Sequence, residues 1–146
     1  MKRNLTLTIA IMMFIAAVTI TAEAQVFGSK QIEARIPFSF NVGSRTLPAG
    51  EYTVKVLNPN SDRRVLQIRS KDGRLSALIH ANDSTSKNPN DAKLVFNRYG
   101  DTYFFAKAQM AGDPTMLAAV KTSAERNKKH ELARNGSKST VEIRAE

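Results

Sequence analysis

Cysteine is absent from the 146 residues, so disulfides, thiol nucleophiles and zinc–thiolate sites are excluded, and the fold must stand on packing and hydrogen bonding alone. Histidine is scarce: His80 and His130 are the only side chains that ordinarily titrate near neutrality. Neither sits in a motif with the orienting partner that nucleophilic or acid–base catalysis requires. Two separated histidines and scattered carboxylates give no metal-ligand spacing, and Asn82-Asp83 lacks the acidic run and glycine of a calcium loop. Beyond residue 20 no apolar run approaches the ~20 residues of a membrane span. No repeat recurs, and no linker divides the chain. These absences leave no catalytic residue, metal or cofactor to assign.

Acidic residues are also in deficit, 13 Asp and Glu against 22 Lys and Arg, for a net charge of +9. The clearest positive feature is at the start. Lys2 and Arg3 precede an apolar run from Leu5 to Ile20, and Ala22-Glu23-Ala24 stands before Gln25. A basic n-region, an apolar h-region and a small-x-small cleavage site define a secretory signal peptide. The apolar run, about 16 residues, falls short of a comfortable span. Residues 1–24 are therefore expected to be removed, leaving one domain over 25–146; an uncleaved leader acting as an anchor is the alternative. The remaining part carries about +8. In an exported protein, periplasmic or extracellular, such charge points away from nucleic acid and towards anionic envelope polysaccharide or a lipid surface. A mixed-sign surface that serves only solubility is the simpler explanation.

Gln31 to Val42 alternates strictly, with Ile32, Ala34, Ile36, Phe38, Phe40 and Val42 on one parity, as a strand with one buried face does. Pro37, on the other parity, requires an edge position or a bulge. Leu47-Pro48-Ala49-Gly50 sets a turn before a strand from Glu51 to Leu57. Val65–Ser70 and Arg74–His80 flank Lys71-Asp72-Gly73, a hairpin signal. Ala81 to Asp91 reads as a long polar loop. Lys93–Arg98 and Thr102–Gln109 form a second hairpin about Tyr99-Gly100-Asp101. Met116 to Val120 fits a last inner strand, and Thr140 to Arg144 a short terminal strand or a frayed tail.

Thr122-Ser123-Ala124-Glu125 spells a capping box, in which the Thr and Glu side chains satisfy each other's amides. A helix from there to about Arg134 is supported by Glu125 and Lys129 at i, i+4 and ends at Asn135-Gly136. Short strands about every ten residues with hairpin turns predict an all-β, mainly antiparallel fold, a small β-sandwich or open barrel with one C-terminal helix.

In the segments Ile36-Pro37-Phe38-Ser39-Phe40-Asn41-Val42-Gly43, Leu47-Pro48-Ala49-Gly50-Glu51-Tyr52-Thr53-Val54, Lys93 to Phe104 and Ala124-Glu125-Arg126, the chain resembles a family of small exported bacterial proteins of unknown function, known mostly from soil bacteria. The resemblance implies export and a β-rich core. It brings no activity and no site residues with it.

Arg98, Tyr99, Tyr103 and Phe104 are the candidate binding residues, an aromatic and basic group suited to stacking on an acidic glycan. The competing assignment puts Phe96 and Phe105 in the core and pairs the two tyrosines across strands on a wet face. Arg126, Lys128, Lys129, His130 and Arg134 make the helix basic, but its apolar side, Ala124, Leu132 and Ala133, is too thin for membrane insertion. The sequence points to a non-enzymatic exported domain that binds or associates with the envelope. An envelope hydrolase with an unrecognised site and a structural or stress-related envelope component are the alternatives.

Overall fold

The computed structural model describes residues 31–133 and 138–145; the leader expected over 1–24, Arg134 and the cap expected at Asn135-Gly136 lie outside the described residues. Ten strands and one helix follow in order: β1 Gln31–Ile36, β2 Phe40–Val42, β3 Arg45–Leu47, β4 Gly50–Val56, β5 Arg64–Ser70, β6 Ser76–Thr85, β7 Lys93–Tyr99, β8 Thr102–Gln109, β9 Thr115–Ala119, α1 Ser123–Ala133 and β10 Lys138–Arg144. The fold is all-β with a single helix among the described residues. The strands form one open sheet running β1-β4-β5-β6-β9-β8, with β7 on the other edge of β8 and β10 beyond it. The short β2–β3 hairpin extends the β8 edge past the end of β9, through the one parallel pairing, Asn41 opposite Phe104. The terminal strands β1 and β10 touch without pairing, so the sheet rolls over one interior but stays open.

The alternation read in the sequence sets what is inside. Ile32, Ala34 and Ile36 of β1, Val54 of β4, Leu66 and Ile68 of β5, Leu94 and Phe96 of β7 and Phe105 of β8 are buried together. Phe96 meets Phe38, Phe40 and Phe105 edge-on at centroid separations of 5.3, 5.3 and 5.8 Å, the geometry the ring quadrupole favours. Tyr52 buries its ring against Phe40 and donates its hydroxyl to the Pro48 carbonyl at 2.7 Å. The Leu-Pro-Ala-Gly turn is thereby tied to the core, as in the tyrosine corners of β-sandwiches.

Three elements differ from expectation. The strand expected over 31–42 is two: Pro37 lacks a ladder donor, and after it the chain leaves β4 for β3 and β8, although the parity survives the break. Ala81 to Thr85 is not loop but the second half of β6, because β9 supplies it with a partner from Ala81 opposite Ala119 to Thr85 opposite Thr115; the loop is confined to 86–92. Arg74 and Leu75 belong to the first hairpin's turn, where Asp72 and Ser70 side chains bond the backbone of both. Of the two alternatives for Thr140 to Arg144 the strand is the one that forms, over 138–144 and paired with β7 throughout. The second hairpin turns on two residues, Gly100 and Asp101. Gly100 takes the first position at φ 61°, which a side chain resists and a type II′ turn demands.

A groove between the outer sheet face and the helix

A bulge in β8 prepares the outer face. Phe96 faces Phe105 and Val95 faces Lys107, so Ala106 is skipped. The extra residue shifts the parity of everything beyond it: Phe105 and Ala108 both point inward, whereas Phe104 and Lys107 both point outward. The register then lays side chains in rows across the outer face. One row runs Glu142 of β10, Val95 of β7, Lys107 of β8 and Ala118 of β9; the next runs Thr140, Asn97 and Phe104.

The N-terminus of α1 closes one end of this face. Thr122 caps the helix, its hydroxyl accepting from the Glu125 amide at 3.2 Å. Only half of the expected capping box forms, because the Glu125 side chain turns onto β7. There its Oε1 accepts from Asn97 Nδ2 at 2.8 Å and from the Tyr99 hydroxyl at 3.2 Å. Glu125 is 4 % exposed and is the only buried residue of the helix; a buried carboxylate is tolerable because these bonds replace water. Burial, the negative charge of Glu125 and the bond donated to it together raise the Tyr99 hydroxyl above its ordinary pKa of 10.0.

Between the rows and the helix lies a groove of about 550 Å³, within the ~300–1,000 Å³ range of small-molecule sites. Its apolar lining is Val95, Ala106, Met116, Ala118 and Ala119, with Asn97 and Glu125 beside it. Lys87, Lys93, Lys107 and Lys121 stand around it against two carboxylates, Glu125 and Glu142. Lys93 is neutralised by Glu142 at 3.2 Å. Lys87, Lys107 and Lys121 form no ion pair among the described residues.

A second depression, about 480 Å³ on the outer side of β1, β4 and β5, mixes four cations with three carboxylates. Its acids are met internally: Glu51 lies opposite Arg35 and binds Lys71 at 2.7 Å, and Asp72 accepts from Ser70 and faces Arg74. The one buried ionisable group in its lining is Tyr52, whose hydroxyl is already committed to the Pro48 carbonyl.

The four candidate residues from the sequence do not form one surface. Arg98 and Tyr103 are directly opposite on β7 and β8, with the guanidinium carbon 5.6 Å from the ring centroid. Tyr103 also stacks on Phe38 at 3.9 Å, so one of its faces is covered by the protein itself. Arg98 donates to the Gly100 carbonyl at 2.7 Å and faces Asp101. Tyr99 and Phe104 lie on the other face, buried, edge to face at 5.8 Å. The two tyrosines are not cross-strand partners, since Tyr99 faces Thr102, whereas Phe96 and Phe105 do lie in the core.

The groove residues escaped the sequence reading because they come from five separate segments, each lysine unremarkable in its own. The available signals were the net charge and the outward pair Asn97 and Tyr99, a polar and an aromatic residue two apart on a strand. Among the described residues, no group of three or more His, Asp or Glu side chains is placed to hold a metal ion, and no helix is long and apolar enough to cross a membrane. No protein-family model, curated protein or solved structure matches the chain.

Proposed function

We propose that this is an exported, non-enzymatic domain that associates with anionic material of the cell envelope, and that the groove beneath α1 is where it does so. The observation that carries this reading is the set of three lysines, Lys87, Lys107 and Lys121, gathered around one groove with no ion pair to any of them among the described residues, where four lysines outnumber two carboxylates. Cations of one sign at a concave surface concentrate anions and steer them inward. Neither histidine lines the groove, and its lysines and hydrogen-bonding groups suit holding a charged polymer. The leader at residues 1–24 and the net charge support the envelope as the setting.

The test is retention of the purified protein on envelope extract at low and high salt. Binding through the groove should be strong at about 0.02 M salt and lost by about 0.5 M, where the screening length falls to a few ångström. Changing Lys87, Lys107 and Lys121 together to Gln should abolish it. Retention that survives the triple change contradicts the reading.

A further inference from the structure

We infer that the ligand of this groove is an acidic polysaccharide, held with its carboxylate groups against the lysine rim and its hydroxyls on the floor. This rests on the groove being the anion site proposed above and adds the class of ligand. The floor carries its own negative group: Glu125 lines the groove, and its carboxylate is fixed from below by Asn97 and Tyr99. Glu142 stands at the side, held by Lys93. A compact anion seated centrally, such as inorganic phosphate, meets the unneutralised carboxylate of Glu125. A carboxylate that accepts two bonds on one oxygen still has acceptor capacity on the other, which suits the hydroxyl donors of a sugar. Asn97 and Thr140, in adjacent positions on β7 and β10, add further hydrogen-bonding groups.

The remaining floor favours the same class. Val95, Ala106, Met116 and Ala118 present apolar groups, fit for the C–H face of a sugar ring. The required ligand therefore has neutral donors at its centre and negative charge at its edge. A uronic-acid polymer has that distribution, whereas an anionic lipid surface presents its charge without matching donors along a line.

The experiment titrates the full chain with hexagalacturonate, its fully methyl-esterified form, inorganic phosphate, and vesicles containing anionic phospholipid. The expected result is saturable binding of the hexamer, weakened about tenfold or more by esterification and by the double change Lys107→Gln and Lys121→Gln. Lys55→Gln, in the separate depression over β1, β4 and β5, should leave it unchanged. Glu142→Gln should tighten it about threefold by removing an internal competitor for Lys93. Equal affinity for the esterified hexamer, competition by phosphate, or vesicle binding that outlasts hexamer binding would overturn the inference while leaving the anion site intact. If no anionic probe responds to the lysine double change, the inference and the proposed function fall together.

Discussion

Replacing Glu125 with alanine takes one acceptor from two donors at once. Asn97 Nδ2, at 2.8 Å, and the Tyr99 hydroxyl, at 3.2 Å, both lose the carboxylate oxygen they share, and Tyr99 is almost wholly buried. A hydrogen bond to a charged group contributes about 1.5–3 kcal/mol, and a stranded buried donor costs a similar amount. The two bonds set a ceiling of about 6 kcal/mol. Relief comes from the helix: with nothing else of α1 buried, the first turn can lift and admit water, which brings the expected loss to about 3 kcal/mol. In a domain of this size that lowers Tm by about 10 °C. Urea denaturation followed by circular dichroism and tyrosine fluorescence measures it, and the cycle Glu125→Ala, Tyr99→Phe and the double variant should give a coupling of about 1–2 kcal/mol. A Glu125→Ala protein within about 0.5 kcal/mol of the parent, or strictly additive single changes, would refute the view that this carboxylate fastens the helix to the sheet.

Alkaline titration gives a second test: burial is the main cause of the raised pKa of both Tyr52 and Tyr99, with Asp72 and Glu125 adding to it respectively. The folded protein keeps protons that the unfolded chain releases, so this stabilisation is fully present below the unfolded value of about 10 and is lost as pH climbs through the folded values. The urea midpoint should therefore stay level from neutrality to about pH 9 and fall above about pH 10, less steeply in Tyr99→Phe. A midpoint that rises above pH 10 would reverse the sign. Tyr52→Phe removes the bond to the Pro48 carbonyl and should cost about 1 kcal/mol by the same urea measurement. Phe96→Ala, at the centre of the aromatic cluster, should cost about 3–5 kcal/mol or leave no cooperative transition. Terminal sequencing of the protein recovered from outside the cytoplasm should begin at Gln25; recovery of Met1 in the membrane fraction would support the anchored alternative.

Much of the interior was legible because a rolled sheet with one apolar side imposes a period of two on its strands. Ile32, Ala34, Ile36, Phe40 and Val42 obeyed it across a proline that changes the strand's partners. The hairpins at Asp72-Gly73 and Gly100-Asp101 were legible because the turns demand those residues locally. Long-range pairing was not. Residues 81–85 look like loop until β9 supplies the other half of the ladder, and nothing near Ala106 announces the bulge that turns Lys107 outward. Glu125 was placed correctly at the third position of a helix, yet the capping box competes with Asn97 and Tyr99, which lie 28 and 26 residues away. The aromatic candidates were misassembled for a related reason: four residues close in sequence across a tight hairpin fall on two faces, and only the register says which.

The most direct test of the central claim, that the lysine-rimmed face under α1 is the binding surface, is a backbone amide NMR titration with hexagalacturonate. Shifts should concentrate at Lys87, Lys93 to Asn97, Lys107, Ala118 to Glu125 and Thr140 to Glu142, and vanish in the Lys107→Gln, Lys121→Gln protein. Shifts centred instead on Arg98 and Tyr103, or on the charged face of β1, β4 and β5, would contradict it.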